Sequence, residues 1–208
     1  MLVPAAQQLP ISSSQAYLAS LADNPTGTLL FNWLYALVAV WALIGIVTVY
    51  YRVRGVSEAW AFFGTIVGAI AGFLTIVFAV QQVASLQYLA SIYRAKSDIA
   101  VAMFEAPVEV NPFRVTTFLL TAAWFLVVSL LMLQTSLPRL LAYLGLVATA
   151  DLSFGFVVAA LGLNSLVVYA ALIAGLVGGP VFWAGLGYLL RREADATTPV
   201  AAPTPAVR

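Results

Sequence analysis

Asp151 is the residue of this sequence whose type and position most strongly indicate a chemical role. It stands near the middle of the apolar stretch 140–163 and is the only acidic or basic side chain there. A charge at the centre of a bilayer costs about 2.5–3.5 kcal/mol on insertion scales, so such a residue should face other helices or water. Two interpretations stay open: a hydrogen-bonded link between helices, to which the flanking Thr149 and Ser153 could donate, or a proton or cation site. The sequence does not decide its protonation state.

Small residues recur at every fourth position on two apolar stretches and indicate helix-packing faces. A stripe without side-chain bulk lets a second helix approach closely, and the dispersion contacts then replace contacts with lipid. The second helix could belong to the same chain or to a partner subunit, and both alternatives stay open. The positions are Gly64, Gly68 and Gly72 on one stretch, and Ala171, Gly175 and Gly179 on the other.

Other residues inside or beside the apolar stretches favour structural roles. Pro180 follows two glycines and predicts a kink, because proline removes a backbone donor from a helix. Trp124 and Trp183 suit packing or anchoring, although a pocket for a pigment or quinone lined by them stays open. Gln81, Gln82 and Gln87 fit an interface between membrane and water better than a binding site.

The residue types that are missing exclude several kinds of chemistry. The chain has no cysteine and no histidine, so Cys-ligated metal and His-ligated haem or chlorophyll are excluded. Glu105 and Glu109 are four residues apart, but they flank Pro107 in a polar segment and do not form a catalytic carboxylate pair. The sequence therefore predicts no enzyme activity and no cofactor. Contact of the apolar surface with lipid or pigment stays open.

Five long apolar stretches must position these residues. Of the 208 residues, 63% are hydrophobic and 8% are charged, and the mean hydropathy is +1.01. About 20 apolar helical residues cross a hydrocarbon core about 30 Å thick. The pattern predicts an all-α, polytopic membrane protein with five transmembrane helices. They are residues 28–50, 57–82, 115–134, 140–163 and 165–190.

The segments outside the spans complete the predicted organisation of the chain. Residues 1–27 form an extracytoplasmic N-terminal segment with a short helix over about residues 15–22. Tyr17, Leu18 and Leu21 share an apolar face of this helix, which is expected to lie at the membrane surface. Residues 83–114 form the long loop, either as an extension of the second span or as an interfacial helix. Residues 193–208 are rich in Ala, Pro and Thr, a composition that predicts a disordered tail.

The distribution of basic residues predicts the orientation N-out and C-in. Lys and Arg accumulate on the cytoplasmic side of membrane proteins. In this orientation the inner segments carry Arg52, Arg54, Arg139, Arg191, Arg192 and Arg208, and the outer segments carry Arg94, Lys96 and Arg114. The net charge of +1 also argues against a nucleic-acid partner, which would require a dense basic patch.

Two short runs carry a resemblance to a known family. The run TSLPRLLAYLG at residues 135–145, with Leu-Pro-Arg before a Gly-containing helix, resembles an uncharacterised family of bacterial multi-pass membrane proteins with a domain of unknown function. The run GYLLRR at residues 187–192 is similar to the end of that family's last span. The resemblance implies a helical protein of a prokaryotic inner membrane and supplies no site residues.

Two functions are favoured by these observations, and a third, a membrane enzyme that acts on lipid, has no residue in its favour beyond Glu105 and Glu109. The first is a non-catalytic accessory or structural subunit that packs against lipids and other membrane subunits in a larger complex. The second is a small transporter or a proton or cation pathway that uses Asp151. The absence of a catalytic constellation and the presence of two small-residue faces favour the first.

Overall fold

Seven α-helices form the part of the chain that the computed structural model describes. That part comprises residues 13–105, 112–161 and 178–197, with the single residues 163, 166, 169 and 173. No β-strand occurs within it, so the predicted all-α class is confirmed. The helices are α1 (Ser14–Asp23), α2 (Thr26–Val53), α3 (Glu58–Ala95), α4 (Ser97–Glu105), α5 (Pro112–Met132), α6 (Arg139–Ala160) and α7 (Gly179–Thr197).

Four of these helices are long and apolar enough to cross a membrane. They are α2, α3, α5 from Val115 onward, and α6. Their positions agree with the first four predicted spans to within a few residues, apart from the far end of α3. The fold is therefore compatible with an integral membrane protein.

The four long helices form two hairpins that pack side by side. Residues 54–57 connect α2 to α3, and residues 133–138 connect α5 to α6. In the second connection the Thr135 hydroxyl donates to the carbonyl of Met132 at 2.8 Å and accepts from the amide of Leu137 at 3.2 Å. Pro138 then occupies the N-cap of α6, in a position that costs no intrahelical hydrogen bond. The α3 helix packs against α5 and joins the two hairpins, and α7 packs against α6.

The α3 helix is longer than a membrane crossing requires. Its 38 residues measure about 57 Å at about 1.5 Å per residue, whereas a bilayer with its headgroups is about 40–45 Å thick. Residues 83–95 therefore continue α3, and α4 follows after a break at Lys96. The segment predicted as a long loop is helical as far as Glu105, so both an extension of the second span and a separate short helix are present.

A second hydrophobic core lies at this extended end of α3. It is built by α1, α3 and α4 from Tyr17, Leu18, Leu21, Leu86, Ala90 and Ala100. The predicted apolar face of the N-terminal helix is thus buried against protein, since Leu18 and Leu21 are 0% exposed. Ser13 caps α1, and its hydroxyl accepts from the amide of Ala16 at 3.3 Å.

The C-terminal part of the chain differs from the prediction at one boundary and is only partly described. The α7 helix continues to Thr197, so residues 193–197 are helical where the disordered tail was expected to begin. Pro180 is the second residue of α7, and Gly178 directly before this helix has π-helical conformation. The region before it, in which a kink of the fifth predicted span would be recognised, lies largely outside the described residues, as do Ala171 and Gly175.

Candidate functional site

Four aromatic rings meet at the centre of the helical bundle. Trp124 and Phe125 of α5 contact Phe182 and Trp183 of α7. The two indoles are stacked, with centroids 5.5 Å apart and planes inclined by 15°. The Phe125 and Phe182 rings meet edge to face at 5.1 Å. We call these four residues the aromatic cluster. Such pairs contribute about 0.5–1.5 kcal/mol beyond the burial of their area.

Glycines on three other helices let the backbone approach this region. A Cβ atom on Gly68 of α3 would lie 2.5 Å from Cδ1 of Trp124. Gly45 of α2 lies directly against the indole of Trp183, and Gly145 of α6 against the hydroxyl of Ser129. The rings and their neighbours therefore join α2, α3, α5, α6 and α7 at one level of the bundle.

The glycine stripe predicted on the second span lies against helices of the same chain. A Cβ atom on Gly64 would meet Val127 of α5 at 3.1 Å, and one on Gly72 would meet Leu43 of α2 at 2.7 Å. Together with the contact of Gly68 with Trp124, all three stripe positions are filled from within the protein. Of the other predicted stripe, Gly179 begins α7 and is half-buried.

One polar atom of the aromatic cluster and one beside it have no hydrogen-bond partner within the described part of the chain. They are Nε1 of Trp124 and Oγ of Ser129, both on α5, and their residues are 2% and 0% exposed. An unsatisfied buried donor or acceptor costs about 1–3 kcal/mol. An internal water is the group that most often satisfies such atoms. The cluster otherwise has the properties of a packed core, because the two indoles stack directly on each other; a pigment or quinone pocket lined by Trp124 and Trp183 stays a hypothesis.

Asp151 lies at the middle of α6 and is half-buried. Its Oδ2 atom is shielded from the surroundings, and Leu152 next to it is buried. The Thr149 hydroxyl donates to the carbonyl of Gly145 at 2.9 Å, and Ser153 is exposed. The two residues expected to donate to Asp151 are therefore engaged in their own helix or turned outward. Positions two apart on a helix do not share a face, which is the physical reason.

The remaining polar candidates are not brought together. Gln81 and Gln87 are exposed on α3, and Gln82 is half-buried. Glu105 ends α4, while Glu109 lies outside the described residues. Within the described parts of the chain, no group of three His, Cys, Asp or Glu residues could hold a metal ion.

The second core contains contacts that sequence reasoning did not identify. The Tyr17 ring stacks on Phe104 with centroids 5.2 Å apart and planes inclined by 22°. Nε of Arg94 donates to the carbonyl of Ala22 at 3.0 Å, and a terminal nitrogen of the same guanidinium donates to that carbonyl as well. A cation at the last carbonyls of a helix also interacts favourably with the helix dipole. Burial raises the pKa of Tyr17 to about 12. Arg94 and Tyr17 thus fix α1 to α3 and α4.

A stripe of exposed apolar residues along α2 was also missed. Leu30, Leu34, Leu37, Trp41 and Ile44 are spaced by four, three, four and three residues, and they are between 43% and 68% exposed. We call these five residues the α2 stripe. They lie opposite the α2 residues that are buried against α3, such as Ala36, Ala39 and Ile46. The spacing is that of the contact seam between two helices.

No known protein family, curated protein or solved structure matches the chain. The resemblance carried by residues 135–145 and 187–192 therefore stays a hypothesis, and the functional argument rests on the geometry.

Proposed function

We propose that the protein is a non-catalytic subunit of a larger membrane assembly and that it binds its partner through the α2 stripe. The partner is a second membrane helix that carries a hydrogen-bond acceptor at the depth of Trp41. The inner membrane of a prokaryote is the proposed location, and the five-span topology with N-out and C-in belongs to the same proposal.

Trp41 is the observation that carries this proposal. Tryptophan is enriched at the two membrane interfaces, where its indole N–H reaches water or headgroups. Trp41 is instead 15 residues from the start of α2 and 12 from its end, and it is the most exposed residue of the α2 stripe at 68%. Facing lipid at that depth, its N–H would have no acceptor, and burying a donor without an acceptor is unfavourable. A neighbouring helix can supply the acceptor.

The differences in burial among the long helices also favour the α2 stripe as the binding surface. In the most apolar part of α2, 17% of the residues are buried, compared with 28% in α3, 44% in α5 and 39% in α6. The glycine stripe of α3 is filled from within the protein, and α2 is the least buried of the four long helices, so its apolar surface is available to another protein. Because lipid tails are as apolar as these side chains, the association would depend on close packing and on the hydrogen bond.

The proposal is tested by gentle solubilisation of the full chain from its own membranes. The native mass and the subunit composition of the solubilised particle are then measured. We expect co-migration with defined partner subunits. Trp41→Leu should reduce the recovered partner about 3- to 20-fold, the range that corresponds to an interhelical hydrogen bond of about 0.6–1.7 kcal/mol. Trp41→Phe, which retains a ring and removes the N–H, should lose a similar amount.

Phe73→Leu is the matched control, because Phe73 is 61% exposed on α3 and lies outside the α2 stripe. It should leave the partner bound. A lone monomer or a homo-oligomer in the wild type would contradict the proposal, as would equal effects of Trp41→Leu and Phe73→Leu.

The second candidate function is a proton or cation pathway through Asp151. It is favoured by one observation, the half-buried carboxyl group at the middle of α6 with a shielded Oδ2 atom. For this function Asp151→Asn should abolish proton or cation flux in vesicles that contain the purified protein. Thr149→Val is the control, since the Thr149 hydroxyl is bonded within its own helix. Equal flux in the wild type and in Asp151→Asn would reject the pathway.

A further inference from the structure

We propose that α4 lies on the membrane surface and inserts Ile99 and Met103 between the lipid headgroups and the acyl chains. The surface is the one from which α2 and α5 enter the membrane. This inference does not depend on the α2 stripe or on the proposed partner.

The short helix α4 is apolar on two sides. Ala100 is 0% exposed in the second core, and Phe104 stacks on Tyr17, so this side packs against protein. Ile99 and Met103 lie one turn apart on the neighbouring side, about 100° further around the helix, and are 42% and 43% exposed. The apolar face of α4 is therefore wider than the part that protein buries, and this outer part is available to lipid.

The chain connections hold α4 close to the bilayer. The α1 helix, which packs against α4, ends two residues before α2 begins. The six residues between Glu105 and Pro112 allow a separation of at most about 25 Å, since an extended chain spans about 3.3–3.6 Å per residue. The helices α1 and α4, which pack on α3 in the second core, are thus tethered to the first residues of α2 and α5, respectively.

The depth of the second core agrees with a position at the membrane surface. Leu86 and Ala90 of α3, which contact α1 and α4 in this core, lie 28 and 32 residues after Glu58. At about 1.5 Å per residue these distances are about 42 and 48 Å along α3. A bilayer with its headgroups is about 40–45 Å thick. With Glu58 placed at the outer edge of the headgroups on one surface, the core begins at about the outer edge of the headgroups on the opposite surface, which places α4 at the membrane surface.

One basic and one acidic side chain stand near the exposed apolar pair of α4. Lys96 is exposed at the junction of α3 and α4, directly before the helix, and Asp98 is exposed in the first turn of α4. Helices that lie in the interface combine a buried apolar face with basic residues that contact lipid phosphates. Among the possible coverings, a lipid surface accounts for the apolar pair, the lysine and the tether together.

The absence of cysteine from the sequence allows a specific measurement. Ile99→Cys is introduced into the full chain, labelled with an environment-sensitive fluorophore and reconstituted in vesicles of phosphatidylcholine and phosphatidylglycerol. Nitroxides placed near the headgroup end of the lipid chains should quench this label at least threefold more than a water-soluble quencher does. Asp98→Cys is the control one residue away, and its label should show the opposite preference.

Met103→Cys repeats the measurement independently if the first variant does not reconstitute. Equal access of the water-soluble quencher to positions 98 and 99 would overturn the proposal, because the apolar side of α4 would then face water. Shielding of position 99 from both quenchers would also overturn it, because protein would then cover this side.

Discussion

At the level of single residues, the bundle depends on glycines that face aromatic rings. Gly68 contacts Trp124, and Gly45 contacts Trp183, so two backbones lie against two stacked indoles. A side chain at either glycine would displace a ring from the aromatic cluster. Large residues in one helix and glycine in the next are a common way for membrane helices to approach closely.

Gly68→Ala should lower the stability of the bundle itself. The new Cβ would lie 2.5 Å from Cδ1 of Trp124, and overpacking of this kind costs about 1–3 kcal/mol. The melting temperature in detergent should fall, and the tryptophan fluorescence should change. Gly187→Ala on α7 is the control, because nothing lies within 4 Å of its added Cβ. A decrease of the same size in both variants would contradict the packing role of Gly68.

At the level of elements, α1 is a short helix fixed by contacts with more distant parts of the chain. Its 10 residues are too few for stability in isolation. Packing of Leu18 and Leu21, the Tyr17–Phe104 stack and the Arg94 hydrogen bonds hold it on α3 and α4. The helix is therefore a reporter of the integrity of the second core.

High pH should release α1. Burial raises the pKa of Tyr17 from 10.0 to about 12. Between pH 10 and about pH 12 the Tyr17 hydroxyl therefore keeps its proton when α1 is docked and loses it when α1 is undocked. The contribution of the protonated Tyr17 to the free energy of docking is fully present below about pH 10 and is lost as the pH rises to about 12. Because one pKa unit corresponds to about 1.36 kcal/mol, the docking free energy that is lost is about 2–3 kcal/mol.

Hydrogen exchange of the α1 amides, corrected for intrinsic rates at each pH, measures this release. In Tyr17→Phe the exchange protection of α1 should be independent of pH over the same range, because the ionisable hydroxyl is absent. Equal pH dependence in the wild type and in the variant would show that another group is responsible.

At the level of the whole molecule, the number of membrane crossings decides on which sides the termini lie. Two hairpins give four crossings, and a fifth over residues 165–190 would place the termini on opposite sides. Single cysteines at Gln15, Gly55 and Thr198, tested with a membrane-impermeant thiol reagent in intact cells, distinguish these cases. We expect Gln15→Cys to react from outside, and Gly55→Cys and Thr198→Cys to react only after permeabilisation. Reaction of Gln15→Cys and Thr198→Cys from the same side would contradict five spans.

Local hydropathy was sufficient to locate the four long helices and the apolar face of α1. Crossing a membrane requires a continuous apolar stretch of a certain length, and this requirement can be recognised within a single segment. The glycine spacing likewise indicated that α3 has a packing face. The small-residue pattern did not indicate which neighbour fills that face.

The neighbours were decided by the tertiary structure. Residues that face lipid and residues that face another helix are equally apolar, so the pattern along α2 does not distinguish the α2 stripe from the side buried on α3. The stacking of Trp124 on Trp183 and the contact of Tyr17 with Phe104 join residues that are distant in the sequence. These contacts exist only because the two hairpins, α7 and the end of α3 are brought together in space, and no local pattern encodes that arrangement.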